Sequence, residues 1–469
     1  MRVLLTGATG VIGRALAREL VLAGHELAVL TRDPSRLPDR FPYPAQAFPW
    51  PEGGSPPVEA FAGVAAVVHL AGEPLGEGRW TEEKKAKMRR SRVEGTRELL
   101  QRLHEARGRL AEDAVLVSAS AIGFYGEQGQ RVLTEEAARG DGFLPELCED
   151  WERESAACTL RTVILRIGVV LTREGGAIPT MYPAFRAGIA GPLAGGRQWM
   201  SCIHLHDMVA ILLAAISSPS WSGVYNAVAP EPATNAQFTR AFSGRIQVPA
   251  VLPVPALAVR VGFGEVAIEV LASHRVVPAR LLAAGFVFKF ADIEAIFEDL
   301  FEGPGEDLLV RDQLLPGPIH EVFGFFSDAR NLERLTPPWL HFEVLGASDA
   351  DGAPRPADAV VEGMLLDYRL RLHGVPVSWR TRIERWNPPF GFVDTQLQGP
   401  YALWHHEHLF HEVAGGTLMR DRVRYKLPLG LPGRLVAGGW VDSDVVGIFD
   451  WRKKAILEHF RGNHGPQPA

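Results

Sequence analysis

Cysteine is scarce in this chain, and neither long apolar runs nor an excess of one charge is present. Only three cysteines occur in 469 residues, at 148, 158 and 202, which excludes a disulfide scaffold and fits a reducing compartment. The formal net charge of −6 gives no footprint for nucleic acid. No apolar run could cross a bilayer, and no signal peptide precedes the first strand. We therefore expect a cytoplasmic protein without a nucleic-acid partner or a membrane span.

The first half of the chain alternates strand and helix patterns, which predicts an α/β fold with a doubly wound parallel sheet. The chain is also too long for one core, so two or three domains are expected. Strands are predicted at 2–6, 26–31, 65–71, 113–118 and 162–170, and helices at 12–23, 81–105 and 143–157. Loops rich in proline and glycine are predicted at 38–57 and 171–196. We assign 1–300 to this domain, with 223–300 as its closing subdomain.

The pattern changes near Glu302-Gly303-Pro304-Gly305. Six or seven strand-like runs follow between 308 and 428, flanked by helices predicted at about 319–335 and 441–460. Such a pattern predicts an α+β domain, 306–460, in which a long C-terminal helix lies on an antiparallel sheet. We expect the tail, 461–469, to be disordered.

The N-terminal stretch MRVLLTGATGVIG carries the clearest functional signal. An apolar strand leads into three glycines and then into an amphipathic helix, which is the context that a dinucleotide-binding fingerprint requires. Glycine lets the backbone turn tightly and lets a pyrophosphate approach the amides at the helix start. The predicted cofactor loop comprises Gly7, Thr9, Gly10, Val11, Ile12 and Gly13.

The ends of the next two buried strands predict which dinucleotide binds. The second strand ends in Thr31-Arg32, where NAD-binding proteins usually place an acidic residue for the ribose. Arginine suits a 2′-phosphate instead, so we expect NADP, while the adjacent Asp33 keeps NAD possible. The third buried strand ends in Leu70-Ala71-Gly72, and small residues there allow close packing against adenosine and ribose.

Several motifs in the first 300 residues occur together and in order: LAGEPLGEGRWTEEKKAKMRRSR, SASAIGFYGEQG, FLPELCEDWE, LRIGVVLTREGGA and WMSCIHLHDMV. With these motifs the chain resembles the epimerase family, an atypical branch of the extended short-chain dehydrogenases that is similar to sugar-nucleotide epimerases. The resemblance implies an NADP site contacted by Thr31, Arg32, Leu70, Ala71 and Arg92, with Arg166 near the nicotinamide half. It implies a small-molecule substrate without naming one.

The catalytic pattern of short-chain dehydrogenases is incomplete here. Those enzymes use a serine to orient the substrate and a Tyr-x-x-x-Lys pair for proton transfer, in which the lysine lowers the tyrosine pKa. The serine strand is present, with Ser118 and Ser120, but no lysine occurs between Lys87 and Lys289. We predict Ser120 and Tyr125 as the catalytic candidates. Further proton donors in view are Glu73 and Tyr182, whereas an apolar helix face is the simpler account of Cys148.

Residues 306–460 resemble the START-like, polyketide-cyclase-like superfamily (SRPBCC). The segments that carry this resemblance are FFSDARNLERLTPPWLHFEV, YRLRLHGVPVSWRTRIERW, GPYALWHHEHLF and DRVRYKLPLG. It implies a helix-grip fold, a curved sheet wrapped around a long helix, with an apolar cavity that holds a hydrophobic ligand. Trp379, Trp386, Trp404 and Phe410 would bring large apolar surfaces to the sheet.

A histidine-rich run, WHHEHLFH, lies in one strand of this second domain. On a strand His406 and His408 share one face, while His405 and His411 face the other way. Two histidines could ligate a metal, but no third ligand is evident from the sequence, so no metal site is predicted. Cross-strand hydrogen bonding around a cavity mouth accounts for the pair.

Two hypotheses of different class follow. In the first, the chain is an NADP-dependent oxidoreductase or epimerase whose C-terminal domain captures an apolar ligand. In the second, it is a catalytically silent sensor whose NADP occupancy controls the START-like domain. The absent Tyr-x-x-x-Lys pair favours the sensor, whereas Ser120 and the loop Gly175–Gly196 favour the enzyme. A cyclase activity of the C-terminal domain has no recognisable acid–base pair to support it.

Overall fold

Seven strands form one sheet in the first part of the chain. The computed structural model describes residues 1–428 and 430–464, with side chains except at 430–437, 463 and 464. The strands are β1 (Arg2–Thr6), β2 (Glu26–Thr31), β3 (Gln46–Pro49), β4 (Val64–His69), β5 (Val115–Ala121), β6 (Arg161–Ile167) and β7 (Gly223–Ala227). They lie in the order β7-β6-β5-β4-β1-β2-β3, and every pair is parallel. The prediction of a doubly wound parallel sheet is confirmed, and the arrangement is Rossmann-like.

Twelve α-helices are described between and after these strands. They are α1 (Val11–Leu22), α2 (Leu37–Arg40), α3 (Glu82–Arg89), α4 (Gly95–Glu105), α5 (Phe143–Ala156), α6 (Ala177–Arg186), α7 (Leu205–Ser217), α8 (Asn235–Ile246), α9 (Ala256–Phe263), α10 (Val266–Leu271), α11 (Ala279–Ala283) and α12 (Ile293–Leu300). In α4, Leu99 and Leu103 lie four residues apart on one face. That face packs on Leu4, Val67 and Leu116 of the sheet, which fixes the helix against it.

Three local predictions for this region need correction. The helix predicted at 81–105 is interrupted by a π-helical turn at Arg90–Glu94. The loop predicted at 38–57 contains β3, an edge strand of four residues that ends in a proline, which edge strands tolerate. The loop predicted at 171–196 contains α6, whose Pro183 hid the helical pattern.

The structure divides into two compact units, Met1–Phe41 with Ala45–Glu302 and Pro42–Pro44 with Gly303–Ala469. We refer to them as the first and the second unit. The first unit also contains three pairs of short strands: Val132–Leu133 with Arg275–Val276, Val169–Leu171 with Cys202–His204, and Trp199–Met200 with Ala233–Thr234. Among the helices in the described residues, none combines the length and the apolar character needed to cross a membrane.

The second unit has an eight-stranded antiparallel sheet. Its strands are β8 (Asp307–Leu315), β9 (Glu343–Ser348), β10 (Pro354–Arg355), β11 (Leu365–Leu372), β12 (Val375–Asn387), β13 (Gly391–Gln398), β14 (Leu403–Val413) and β15 (Gly416–Lys426), in the order β8-β15-β14-β13-β12-β11-β9-β10. Its helices are α13 (Ile319–Phe326), α14 (Asn331–Leu335) and α15 (Gly430–His464). The helix predicted at 319–335 is therefore two helices.

The long helix α15 packs on the antiparallel sheet. Val445 and Phe449 of α15 share one buried cluster with Leu309, Val423 and Tyr425 of the strands. The helix begins earlier than the predicted 441 and extends to His464, so it includes the start of the tail that was expected to be disordered. The remainder of that tail, 465–469, lies outside the described residues.

Candidate functional site

The carboxyl ends of the central strands border a cleft of about 500 Å³. The strands β1 and β4 are neighbours, yet the chain leaves them toward opposite sides of the sheet. Open α/β sheets bind ligands at such a switch point. The lining residues come from the loops after β1 and β4, the end of β5, α5 and two glycine-containing segments: Gly7, Gly10–Gly13, Leu70, Leu75, Arg92, Ala119–Ala121, Leu144, Leu147, Cys148, Trp151, Ile167–Val170 and Gly175–Ala177.

The glycine loop has the shape that a pyrophosphate needs. Gly7 has φ +66°, and a Cβ added there would lie 2.7 Å from the backbone of Leu70. A Cβ on Gly13 would collide with the carbonyl of Gly7, so the loop closes too tightly for any side chain. The helix α1 starts after Gly10 without a side-chain cap, which leaves its first amides available to an anion. These residues fit a bound dinucleotide.

A buried hydroxyl connects β1 to the loop after β4. Thr6 Oγ1 accepts hydrogen bonds from the amides of Leu70 and Ala71, each 3.1 Å long, and lies 2.7 Å from His69 Nδ1. Because its lone pairs serve the two amides, Thr6 donates its own proton to His69 Nδ1. His69 then carries its proton on Nε2, which lies 3.0 Å from Thr96 Oγ1. The network holds the end of β4 in place beside the cleft.

Acidification is expected to destabilise the first unit through His69. Burial, with a smaller effect from the positive charge of Arg92, lowers the pKa of His69 from its ordinary 6.5 to about 4. The unfolded chain therefore binds a proton at higher pH than the folded unit does, and the free energy of unfolding falls as pH drops from 6.5 toward 4. The expected loss is about 3 kcal/mol. Urea unfolding of the wild type and of His69→Gln across this pH range measures the loss. If the free energy of unfolding fell equally steeply with pH in both proteins, His69 would not be its cause.

Arg92 enters the cleft from the π-helical turn between α3 and α4. Its Nη1 donates to the carbonyl of Glu73 at 3.0 Å, and its guanidinium carbon lies 5.2 Å from the centre of the Trp151 ring. Trp151 also lines the cleft, and its buried Nε1 has no hydrogen-bond partner among the described residues. π-Turns occur often at functional sites. The turn therefore places the Arg92 guanidinium in the cleft wall, beside the indole N–H of Trp151 on α5.

Ser120 is held in the cleft by an ion pair. Its hydroxyl donates to Glu152 Oε1 at 2.6 Å. Glu152, on α5, forms a two-point ion pair with Arg166 of β6, with both N–O distances 2.8 Å. Serine and both charged groups are buried. The arrangement fixes the serine rotamer and connects its proton to a carboxylate.

Tyr125 and Arg166 lie behind the cleft wall and are not among its lining residues. The Tyr125 hydroxyl donates to Asn226 Oδ1 at 2.7 Å and accepts from Arg166 at 2.9 Å. Burial raises the pKa of Tyr125, which opposes phenolate formation. Arg166 lies against the ring of Phe124, 3.5 Å from its centre. The structure therefore does not bring the predicted tyrosine to the cleft.

Few titratable groups line the described cleft. Cys148 is one of them, but burial, followed by the negative charge of Glu152, raises its pKa to about 12, so the thiol stays protonated. The described lining contains no lysine, tyrosine, histidine, aspartate or glutamate. Glu73 is paired instead with Lys84 at 2.6 Å, and Tyr182 packs on Phe242. Ser120 is thus the one hydroxyl of this lining.

At the end of β2, Arg32 and Asp33 differ in what their side chains contact. Asp33 accepts hydrogen bonds from the backbone amide and the hydroxyl of Ser35, at 3.0 and 2.6 Å, and these bonds lower its pKa. Arg32 is exposed and makes no hydrogen bond or ion pair within the part of the chain described. The acidic side chain thus caps a turn, whereas the guanidinium remains available.

The predicted site residues fall into two groups. Eight of them line the cleft together: Gly7, Gly10, Val11, Ile12, Gly13, Leu70, Arg92 and Ser120. The others lie outside its lining: Thr9, Thr31, Arg32, Ala71, Gly72, Tyr125 and Arg166. Of these, Gly72 still lies against Arg92, since a Cβ there would be 3.0 Å from the guanidinium carbon.

Sequence reasoning missed several residues of this site. Thr6 and His69 were read only as strand residues, although a polar pair at neighbouring strand ends is a usable signal. Glu152 and Trp151 lie in the quoted FLPELCEDWE motif, but their partners are distant in sequence. Gly175 is packed against Val11, which brings the loop 171–176 over the start of α1.

Comparison with known proteins agrees with this geometry. Residues 3–227 match the family described as NAD dependent epimerase/dehydratase family, and residues 254–300 match a domain of unknown function, DUF1731. A chloroplastic epimerase family protein SDR39U1 homolog of Arabidopsis thaliana is 37% identical over 301 residues, covering 62% of this chain and 84% of that protein. An epimerase family protein of Mycobacterium bovis is 38% identical, covering 61% and 93%.

Solved structures give the same result. The human epimerase family protein SDR39U1, crystallised with NADPH, is 31% identical with a TM-score of 0.56, covering 64% of this chain and 99% of that chain. A nucleoside-diphosphate sugar epimerase from Corynebacterium glutamicum is 33% identical with a TM-score of 0.51, covering 65% and 59%.

The chain belongs to the epimerase family. The predicted resemblance of its first 300 residues is thereby confirmed as membership of an extended short-chain dehydrogenase branch. Because the matching family is defined by its dependence on a nicotinamide dinucleotide, the expectation of an NAD(P) cofactor is confirmed as well. The two family-model matches lie at 3–227 and 254–300, within the first unit.

Proposed function

We propose that this epimerase-family chain is an NADP-dependent oxidoreductase or epimerase that acts on a small molecule in the cleft of its first unit. One observation carries the proposal: the Ser120 hydroxyl lines the same cleft as the glycine loop. A group that can orient a substrate oxygen thus lies next to the predicted nucleotide loop.

The proposed cofactor site uses the chain's own residues as follows. The pyrophosphate lies on the loop Gly7–Gly13, and the adenosine ribose lies against Leu70-Ala71-Gly72. Thr31 and Arg32 bind the 2′-phosphate, because Asp33 is occupied by its turn and Arg32 is not. Arg92 faces the cofactor from the cleft wall. When bound, the nicotinamide ring gives or takes a hydride.

Within this proposal Ser120 binds the oxygen of the reacting carbon. Its hydroxyl can donate to a substrate oxygen while Glu152 accepts the serine proton in the resting state, at 2.6 Å. Arg166 acts from behind the wall as a positioning residue, because it holds Glu152 at two points and supports Tyr125. The Tyr125 hydroxyl takes part through this chain of hydrogen bonds and does not touch the substrate.

Replacing Arg32 by alanine is expected to weaken NADPH binding by about 10–100-fold, because charge-assisted hydrogen bonds to the 2′-phosphate contribute about 1.5–3 kcal/mol. NADH lacks that phosphate, so its affinity should stay within about twofold. Calorimetric titration with both cofactors measures the change in selectivity.

The matched control for this experiment is Arg131→Ala. Arg131 is an exposed arginine of the same unit that does not line the cleft. It should leave both affinities unchanged. If Arg32→Ala bound NADPH as tightly as the wild type does, Arg32 would not contact the 2′-phosphate.

The second candidate function is a catalytically silent NADP sensor. The observation that favours it is the described cleft lining itself, which lacks a group with a pKa suited to proton transfer near neutrality. Incubation of the protein with fractionated metabolites and either NADP+ or NADPH, followed at the nicotinamide absorbance, separates the two functions. Substrate-dependent turnover supports the enzyme. Tight NADPH binding without turnover in any fraction supports the sensor.

For the second unit we propose a START-like, helix-grip domain that binds an apolar ligand. The supporting observations are the antiparallel sheet packed on α15 and a cavity of about 160 Å³. Aromatic residues among its lining include Phe326, Trp379, Phe392 and Trp404. Native mass spectrometry of the purified full chain tests for a retained hydrophobic molecule.

We also propose a cytoplasmic location for the protein. The three free cysteines of the chain support it, because free thiols are typical of a reducing compartment.

A further inference from the structure

Four polar side chains meet on three adjacent strands of the second unit. His406 and His408 lie on the same face of β14, as their spacing predicted. The register pairs Asp394 of β13 with His406 and Asp421 of β15 with His408. One carboxylate therefore lies on each side of the two imidazoles. Both histidines and Asp421 are buried, and Asp394 is largely buried.

Each imidazole nitrogen in this cluster lies close to a carboxylate oxygen. His406 Nε2 and His408 Nδ1 are both 2.9 Å from Asp421 Oδ1. On the other side, His408 Nε2 is 3.1 Å and His406 Nδ1 is 3.5 Å from Asp394 Oδ2. The two ring centres are only 3.7 Å apart. The cluster is thus a ring of four nitrogens between two carboxylates.

One ring nitrogen of the cluster has no hydrogen-bond partner. His408 Nδ1 is buried and lies near Asp421, but within the described residues it makes no hydrogen bond. The other nitrogens to consider are His406 Nδ1 and His408 Nε2, which lie on the same side of the rings as the Asp394 carboxylate. These two nitrogens and that carboxylate can face one bound ion.

Arg452 is a cationic side chain in the lining of the same cavity. Its positive charge acts on both Asp394 and Asp421, but within the described residues it makes no hydrogen bond or ion pair to either carboxylate. Its guanidinium instead lies 5.9 and 5.8 Å from the centres of the Phe326 and Phe449 rings. It therefore leaves the space between Asp394 and the two imidazoles free of a direct ion pair.

We propose that Asp394, His406 and His408 bind a divalent transition-metal ion of the Zn²⁺ type at the wall of the aromatic cavity. One ligand atom from each residue lies within 4.8 Å of the others. The distances from Asp394 Oδ2 to His408 Nε2 and His406 Nδ1, 3.1 and 3.5 Å, match the spacing of about 3.3 Å between ligands that lie about 2.0–2.1 Å from one metal. Two imidazoles and one carboxylate favour Zn²⁺ or Fe²⁺ over Mg²⁺ or Ca²⁺.

Asp421 acts as the supporting carboxylate of this site. Histidines that bind a metal through one nitrogen usually donate the other N–H to a carboxylate or carbonyl. His406 Nε2 makes this bond to Asp421 at 2.9 Å. His408 Nδ1 also lies 2.9 Å from Asp421 Oδ1. A rotation of the His408 ring would align this N–H for a second hydrogen bond to Asp421. Asp421 then fixes both rings with their lone pairs toward Asp394.

The site opens on the cavity proposed to hold the apolar ligand. Asp394, His406 and His408 all line that cavity, together with Arg452. Three protein ligands leave at least one metal position for water or another molecule. An apolar molecule with an anionic oxygen, such as a carboxylate or phenolate, would fit both the metal and the guanidinium of Arg452. Metal binding itself does not depend on that ligand or on the nucleotide proposal.

The test uses the full chain, stripped with a chelator and desalted. Zn²⁺ is titrated calorimetrically, and Co²⁺ is titrated with its visible d–d absorption as a reporter of nitrogen and oxygen ligation. We expect one metal ion per chain. His408→Gln and Asp394→Asn should weaken Zn²⁺ binding by more than about 100-fold, and Asp421→Asn by about 10–100-fold.

The matched control is His405→Gln, on the same strand but the opposite face, which should bind Zn²⁺ as the wild type does. Near-ultraviolet circular dichroism checks that the second unit of each variant is folded, and NADPH titration reports separately on the first unit. Absence of stoichiometric Zn²⁺ or Co²⁺ binding by the wild-type chain overturns the proposal without any variant. Equal binding by His405→Gln, His408→Gln and Asp394→Asn overturns it too.

Discussion

Gly7→Ala is expected to raise the Kd for NADPH by more than about 100-fold, which corresponds to about 3 kcal/mol. Two causes add. The backbone at Gly7 has φ +66°, where a residue with a Cβ costs about 1 kcal/mol. The new methyl would also lie 2.7 Å from the backbone of Leu70, so the loops after β1 and β4 must separate. Calorimetric titration measures the affinity, and urea unfolding measures the accompanying loss of stability.

Two glycine variants separate these causes. Gly24 has φ +76° but nothing within 4 Å of an added Cβ, so Gly24→Ala should cost only the conformational term and leave NADPH affinity within about twofold. Gly10 has φ −72°, and its added Cβ would be 3.2 Å from the Gly7 carbonyl. The Gly10→Ala variant should fold and still bind NADPH more weakly than the wild type, because the added methyl occupies the cleft. Wild-type affinity in both Gly7→Ala and Gly10→Ala would place the cofactor elsewhere.

Ser120→Ala is expected to lower kcat by about 10²–10³-fold, the usual effect of removing a group that binds the reacting oxygen. The Kd for NADPH should stay unchanged, because the proposed nucleotide contacts lie on other loops. Glu152 keeps both bonds to Arg166 without the serine, so the fold should be retained. Steady-state kinetics on the substrate found by metabolite screening, with a parallel NADPH titration, measures both quantities.

The matched control for this experiment is Ser118→Ala. Ser118 lies two residues earlier on the same strand, is buried, and bonds Ser155 at 2.8 Å, outside the cleft lining. Its kcat should be close to that of the wild type. If both variants lose turnover equally, the serine strand acts through its packing and Ser120 has no direct role.

Much of the first unit could be predicted because its signals are local. Buried parallel strands are continuous apolar runs, and the predicted 2–6 and 26–31 coincide with β1 and β2. The helix predicted at 143–157 ends one residue beyond α5. The strand Gln46–Pro49 could not be predicted, since prolines on both sides resemble a loop and only pairing with β2 makes it a strand.

The chemistry of the sites depends more on contacts distant in sequence. The glycine loop was visible because its residues are consecutive. The bonds from Glu152 to Ser120 and Arg166 join residues 32 and 14 positions apart, and only the packing of α5 on the sheet creates them. Asp394 is likewise invisible as a partner of His406 until the register of β13 and β14 is known. Spacing predicts which residues share a face, but register decides what they touch.

The π-helical turn at Arg90–Glu94 has an evolutionary consequence. A π-turn holds one residue more than the α-helical turn it replaces, so it behaves as a single-residue insertion absorbed within one continuous helix. Deleting one residue there would restore regular α-helical bonding between α3 and α4 and rotate Arg92 by about 100° around the helix axis. The deletion of a single codon would thereby remove Arg92 from the cleft wall while leaving both helices intact. The number of residues in this helix, and not only its composition, therefore decides whether Arg92 reaches the cleft wall.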